Sequence, residues 1–131
     1  MADLAGLRAL LVEDEAGVAL LLEDMLEELG CGVAASAATL ARALSAARDA
    51  EFDFAVLDVN LDGELVFPVA YVLKERRRPF IFSTGYGRVG LPEAFKNCEV
   101  LNKPFSLEDL KQKLRSIFSE PPSVRRGRSE R

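Results

Sequence analysis

Three acidic residues follow two apolar segments of the chain. Glu13 and Asp14 come directly after the apolar run at 10–12, and Asp58 follows a second apolar run at 54–57. Short apolar runs that stop at polar residues are typical of buried parallel strands. If these strands are neighbours, the carboxylates share one pocket, and each ionised pair ~5 Å apart repels by roughly 3 kcal/mol at an effective dielectric of ~20. Hard oxygen ligands suit Mg²⁺, so we predict a divalent-metal site that contains Asp58.

Alternating strands and helices must position these acids. The apolar and turn patterns predict strands at 8–13, 31–35, 54–57, 79–83 and 99–102. They predict helices at 15–29, 38–50 and 67–76, and a last helix that begins with Ser106 as its N-cap. On the first helix, we expect one inward apolar face that consists of Val18, Leu21, Leu22, Met25, Leu26 and Leu29. This order predicts an α/β fold, a doubly wound five-stranded parallel sheet with helices on both faces.

The segment between the fourth and fifth predicted strands differs from the other connections. Residues 84–92 contain three glycines and a proline, and glycine disfavours the interior of a helix by ~1 kcal/mol relative to alanine. We therefore expect only a short helix, near Pro92, and we expect this segment to be the least stable part of the domain.

Composition and charge limit the possible functions. The chain has 131 residues and a net charge of −4, which divides into −6 for residues 1–119 and +2 for residues 120–131. We predict one domain over 1–119 and a disordered tail over 120–131. An acidic body argues against nucleic acid as a partner, because phosphate contacts need a basic face. The chain also lacks an apolar stretch of ~20 residues, so we expect no membrane partner.

The cysteines indicate the cellular compartment. The chain has two, Cys31 and Cys98, which is a weak basis for a disulfide framework. The N-terminus has no basic region before an apolar stretch, so a secretory signal is not expected. We therefore expect reduced thiols and a cytoplasmic protein.

Polar residues at successive strand ends resemble a known family. The third predicted strand ends in Asp58, the fourth in Ser83 and Thr84, and the fifth leads into Asn102-Lys103-Pro104-Phe105. With Glu13 and Asp14, this set resembles the receiver domain of two-component response regulators over about residues 7–119. The resemblance implies a flavodoxin-like sheet of order 2-1-3-4-5.

The resemblance also implies a chemistry for these residues. Asp58 would accept a phosphoryl group from a histidine kinase or phosphotransfer protein. Mg²⁺ would be held by Asp14, Asp58 and the backbone carbonyl of Asn60, with Glu13 acting on it through a water. Lys103 would contact the phosphoryl oxygens, and Thr84 would hydrogen-bond the phosphate. The Lys103-Pro104 peptide would be cis, as in the family.

Two features narrow the resemblance. Typical receivers have Tyr or Phe three residues before the lysine of the Lys-Pro pair, whereas this chain has Val100. Residues 82–87 (FSTGYG) resemble the signature of the single-domain "FAT GUY" response regulators of alphaproteobacteria, with Ser83 where alanine is usual. Members of that group pair with sensor histidine kinases, often in general stress signalling. A receiver without an output domain would signal through an unidentified protein partner or act as a phosphate sink, and it would not be an enzyme.

Two other functions compete with this one. An Mg²⁺-dependent phosphatase with an aspartate nucleophile also places Asp at a strand end, but such enzymes use a second Asp two residues later, where this chain has Asn60. An amide cannot transfer protons in that way. An adaptor that works without phosphorylation would not need Asp58, Thr84 and Lys103 together. We expect no DNA-binding regulator, because the length leaves no room for a second domain after residue 119.

Overall fold

The structure, a computed structural model, describes residues 4–118. Its helices and strands follow the predicted alternation closely. The helices are α1 (Ala16–Glu28), α2 (Leu40–Asp49), α3 (Phe67–Arg76) and α4 (Leu107–Phe118). The strands are β1 (Arg8–Val12), β2 (Gly32–Ala37), β3 (Phe54–Asp58), β4 (Asn60–Leu61), β5 (Glu64–Leu65), β6 (Phe80–Thr84) and β7 (Val100–Asn102). The predicted tail at 120–131 lies outside the described residues.

Five strands form one parallel sheet in the order β2-β1-β3-β6-β7. If only these five strands are numbered in chain order, β6 is the fourth and β7 the fifth, and the order is the predicted 2-1-3-4-5. The predicted fold is therefore confirmed. The remaining strands, β4 and β5, pair with each other as a small antiparallel hairpin. The sequence indicated only a turn there, because strands of two residues are too short to leave a periodic pattern.

Local sequence explains where the helices begin and end. Ser106 caps α4, because its hydroxyl accepts the N–H of Asp109 at 3.1 Å while the Asp109 carboxylate accepts the N–H of Ser106 at 2.9 Å. Gly30 follows the last turn of α1 with φ +89°, and a Cβ there would lie 3.2 Å from the Cα of Ala5. Pro68 occupies the first turn of α3, as predicted, where its missing N–H leaves no hydrogen bond unmade.

A buried apolar core lies on each face of the sheet. One lies under α2 and α3 and the other under α1 and α4. Leu22 and Leu26 of α1 enter the second core as predicted. The prediction for Leu21 was wrong, since its side chain is 48% exposed. Leu21 lies at the margin of the apolar stripe, where helical periodicity alone does not distinguish a buried from an exposed position.

The connection between β6 and β7 carries no α-helix. Its only helical element is a 3₁₀ turn at Glu93–Phe95, directly after Pro92, as the glycine-rich sequence predicted. Phe95 is buried and anchors the turn, with its ring centroid 5.7 Å from that of Phe82 and 4.8 Å from that of Tyr71. The preceding loop, residues 85–91, lacks such an anchor over most of its length. Within the described chain, no helix is long and apolar enough to cross a membrane.

Candidate functional site

The carboxyl edge of the sheet brings the predicted site residues together. Glu13 and Asp14 follow β1, Asp58 ends β3, Thr84 ends β6 and Lys103 follows β7. Because β1, β3, β6 and β7 are consecutive neighbours in a parallel sheet, their carboxyl ends converge. Asp14, Asp58, Thr84 and Lys103 line one open cavity of about 480 Å³. Glu13 does not line this cavity and is buried.

The acids form a cluster with the chemistry of a metal site. Glu13, Asp14 and Asp58 each offer a carboxylate oxygen, and these oxygens lie within 4.8 Å of one another. Glu13 and Asp58 are only 3% and 6% exposed, so water screens their repulsion poorly. A hard divalent cation fits this all-oxygen donor set.

Asn60 lies beside the cluster, at the start of the β4–β5 hairpin. Its side-chain oxygen accepts the N–H of Gly63 at 2.6 Å, and its own backbone N–H donates to Asp58 Oδ1 at 3.4 Å. The side-chain oxygen is therefore engaged in holding the hairpin turn. This arrangement fits a ligand role for the backbone carbonyl of Asn60 and not for its side chain.

Lys103 is the cation that faces the cluster. Its Nζ lies 3.4 Å from Glu13 Oε1 and 3.5 Å from Asp58 Oδ1. Burial and the charge of Glu13 raise the pKa of Asp58 to about 7, although Lys103 opposes the shift. Burial lowers the pKa of Lys103, but the charges of Asp58 and Glu13 outweigh it and raise that pKa overall. One cation therefore does not compensate the acidic cluster, which favours a further positive charge. The Lys103-Pro104 peptide is cis, as predicted.

The loop after β6 forms the opposite wall of the cavity. Thr84 is buried, and its hydroxyl oxygen accepts the N–H of Tyr86 at 3.1 Å, which folds the loop back on the strand end. Tyr86 and Val89 also line the cavity, but they are 77% and 82% exposed. Next to Thr84, the buried hydroxyl of Ser83 has no hydrogen-bond partner among the described residues.

Position 100 holds valine where typical receivers have an aromatic residue, and an aromatic side chain from another element lies in the same core. Val100 is buried beside Phe82 and Phe95 in the core under α2 and α3. The Phe95 ring stacks on Phe67 with centroids 6.1 Å apart, so the 3₁₀ turn fills this part of the core. Sequence reasoning missed Phe95, because a single aromatic in a short loop gives no periodic signal.

Sequence reasoning also missed the apolar rim of the cavity. Leu65, at the end of the hairpin, lines the cavity while 52% exposed. A lone exposed leucine in a turn carries no sequence signal, because single apolar residues are common on protein surfaces. Its position follows only from the hairpin, which turns residues 60–65 towards the mouth of the site.

Comparison with known proteins identifies the family. Residues 9–115 match the response regulator receiver domain. The chain belongs to this family. It is therefore a receiver domain of two-component signalling, as the strand-end residues predicted. No match is found among the curated proteins.

Similar solved structures support the assignment of this chain to the receiver family. The solution structure of SdrG from Sphingomonas melonis Fr1 is 38% identical, with a TM-score of 0.78 over 90% of this chain and 99% of that one. The response regulator PhyR from Brucella abortus is 26% identical, with a TM-score of 0.78, over 92% of this chain but only 51% of its own. Both organisms are alphaproteobacteria, and the FAT GUY subfamily stays a prediction.

A third structure bears on the metal. The receiver domain of the sensor histidine kinase PA1611 from Pseudomonas aeruginosa PAO1 is 26% identical, with a TM-score of 0.72 over 88% of this chain and all of that one. It has a magnesium ion coordinated in the active-site cleft. Receiver domains bind Mg²⁺ at this position, and the acidic cluster of this receiver suits the same ion.

Proposed function

We propose that this receiver accepts a phosphoryl group on Asp58 from the phosphohistidine of a histidine kinase or phosphotransfer protein. The observation that supports this most is the position of the Asp58 carboxylate, which lies in the cavity with Oδ1 3.5 Å from Lys103 Nζ. A P–O bond to Asp58 would form while the P–N bond of the donor breaks, its electron pair remaining on the imidazole nitrogen. The new phosphoryl group would lie between Lys103 and the loop after β6.

Each neighbouring residue has a definite role in this proposal. Lys103, as a mobile point charge, would move from the carboxylates to the phosphoryl oxygens. Thr84 would donate its hydroxyl to one of those oxygens. Asp14, Asp58 and the Asn60 carbonyl would hold Mg²⁺, with Glu13 behind them, and the bound ion would supply the positive charge that phosphoryl transfer needs.

We propose further that the phosphorylated receiver, residues 1–119, signals by binding a protein partner or serves as a phosphate sink. Tyr86 is exposed and lines the same cavity as Asp58, and its N–H donates to Thr84, so a phosphoryl group on Asp58 that bound Thr84 would change the loop surface. We place this function in the cytoplasm, in keeping with the two free cysteines, Cys31 and Cys98.

Transfer from a labelled donor tests the proposal. A phosphotransfer protein carrying [³²P]phosphohistidine is mixed with the receiver and Mg²⁺, and the acid-stable, hydroxylamine-labile label on the receiver is measured. We expect label on the wild type and none on Asp58→Asn. Asp62→Asn is the matched control, because Asp62 lines the same cavity, and its positive φ of 52° is tolerated by asparagine. Undiminished label on Asp58→Asn would show that another residue is the acceptor.

A further inference from the structure

A cluster of cations lies at the amino edge of the sheet, opposite the phosphorylation site. Lys74, Arg76, Arg77 and Arg78 fall within five consecutive residues, in a body of residues 1–119 whose net charge is −6. Lys74 and Arg76 occupy the last turn of α3, where cations complement the helix dipole. That effect falls off within the last turn, so it does not account for Arg77 and Arg78.

Arg76 has a structural role. Its Nη1 donates to the carbonyls of Ala47 at 2.7 Å and Ala50 at 3.0 Å, and its guanidinium lies over the ring of Phe52, 5.3 Å from the centroid. Arg76 thereby ties the end of α2 to α3. It is not among the residues that line the groove described next.

A groove of about 430 Å³ lies between the end of α3, the start of β6 and the end of α4. Among residues 4–118, its lining combines cations with apolar residues and includes no acid: Lys74, Arg77, Arg78, Pro79, Phe80 and Ile117. Phe80 and Ile117 are half-buried and form the apolar part of this basic groove.

Arg78 brings an unpaired donor to the basic groove. Its Nε is buried and has no hydrogen-bond partner among the described residues. Its Nη1 donates a long hydrogen bond of 3.5 Å to the Arg76 carbonyl, and its Nη2 reaches Glu51 only at 3.9 Å, where the Glu51 side chain is 83% exposed. An exposed pair at that distance contributes little, so Arg78 retains most of its capacity to bind an anion.

Arg77 occupies a backbone position that suits glycine better. It caps the C-terminus of α3 with φ +60° and ψ +39°, in the left-handed region that glycine adopts without a steric penalty. Arg77 is exposed, and no contact of its guanidinium is found among the described residues. The conformation of α3 therefore does not explain an arginine here, whereas a ligand in the basic groove would.

We propose that the basic groove binds a short acidic segment of a partner protein. Carboxylates of the segment would pair with Lys74, Arg77 and Arg78, and an apolar side chain would pack on Phe80 and Ile117. A long polyanion fits less well, because the rest of the domain is acidic and would repel it. The chain's own residues 119–131 are also a poor occupant, since they contain four arginines and two glutamates.

Fluorescence anisotropy with a defined peptide tests this proposal, and it does not depend on phosphorylation. The probe is a labelled heptapeptide of six glutamates around a central leucine, and its control has glutamine in place of every glutamate. We expect Arg77→Glu to weaken binding of the acidic peptide about tenfold at low salt. Arg42→Glu makes the same charge change in the first turn of α2, at the other edge of the sheet, and should change binding less than about twofold.

Arg77→Gly provides the sharper variant. Because glycine suits φ +60° better than arginine does, this substitution should raise the melting temperature while it weakens peptide binding. A merely structural role for Arg77 predicts no change in binding. The proposal is overturned if the wild type does not bind the acidic peptide, if the glutamine peptide binds equally well, or if Arg77→Glu and Arg42→Glu have the same effect.

Discussion

The proposed phosphorylation site has two unlike sides. The strand-end side consists of two buried acids, Glu13 and Asp58, and of Lys103, whose Nζ lies 3.4 Å from Glu13 and 3.5 Å from Asp58. The loop side, residues 85–91, contains three glycines and is mostly exposed. The loop is tied to the rest of the connection by the side chain of Arg88, which donates to the carbonyls of Lys96 at 2.8 Å and Cys98 at 2.7 Å, whereas the strand ends are fixed by the whole sheet. We infer that the chemistry belongs to the fixed side and the response to the loop side.

The largest expected effect is a pH dependence of the free energy of unfolding, which comes from the strand-end side. Burial and Glu13 raise the pKa of Asp58 from 3.8 to about 7, so the folded protein without metal holds a proton that the unfolded chain releases at lower pH. The resulting stabilisation is present below pH ~4 and is lost as the pH rises through ~7. The free energy of unfolding should fall over this range by at most about 4 kcal/mol, because one pKa unit corresponds to about 1.4 kcal/mol. Urea unfolding from pH 4 to 8 measures it.

Asp58→Asn should flatten this pH dependence, because asparagine does not titrate. Asp24→Asn, at an exposed position of α1, is the control and should leave the slope unchanged. An equally steep slope in Asp58→Asn would assign the dependence to other groups.

Mg²⁺ should stabilise the folded protein by binding the acids of the strand-end side. At 100 times its dissociation constant, Mg²⁺ should raise the free energy of unfolding by about 2.7 kcal/mol, because it binds the folded state alone. Asp14→Ala should lose most of this gain, and Asp49→Ala, which removes an exposed acid at the end of α2, should retain it. Thermal melts with and without EDTA provide the measurement. If millimolar Mg²⁺ does not change the melting temperature of the wild type, the predicted metal site is wrong.

Ser83 allows a smaller test of the same side. Its buried hydroxyl has no partner among the described residues, and an unsatisfied buried hydroxyl is unfavourable. Ser83→Ala should therefore raise the free energy of unfolding by about 1 kcal/mol. Ser36→Ala, on the exposed side of β2, should change it by less than about 0.5 kcal/mol. Destabilisation by Ser83→Ala would mean that the hydroxyl is hydrogen-bonded in solution.

The loop side should show the smallest energetic effect but the clearest local one. Amides at 85–91 should exchange faster than those of β3, and beryllofluoride should slow the loop amides selectively as Thr84 turns to the phosphate mimic. Hydrogen exchange followed by mass spectrometry measures both. Equal loop protection with and without beryllofluoride would place the response elsewhere in the domain.

Much of the fold was predictable because it depends on local patterns. Apolar runs that stop at Glu13 and Asp58 located two strand ends, and Gly30 and Ser106 located two helix ends. Five strands that alternate with helical segments then leave few arrangements other than a parallel sheet. The convergence of Asp14, Asp58, Thr84 and Lys103 follows from that sheet.

What could not be predicted depends on tertiary packing. Leu21 lies on the exposed margin of α1, and Phe95 is buried because its ring packs against those of Phe67 and Phe82. The β4–β5 hairpin is too short for any periodic signal, so the place of Leu65 at the rim of the site was not foreseen. The positive φ of Arg77 was hidden as well, because a helix C-cap of that conformation is usually signalled by glycine.

Chemical identification of the phosphorylated residue tests the central claim most directly. The receiver is treated with acetyl phosphate and Mg²⁺, and borohydride then reduces any aspartyl phosphate to homoserine, which tandem mass spectrometry locates in the sequence. We predict homoserine at position 58, dependent on both acetyl phosphate and Mg²⁺. Homoserine at position 14, or no homoserine in a folded sample that binds Mg²⁺, would contradict the assignment of Asp58 as the phosphoacceptor.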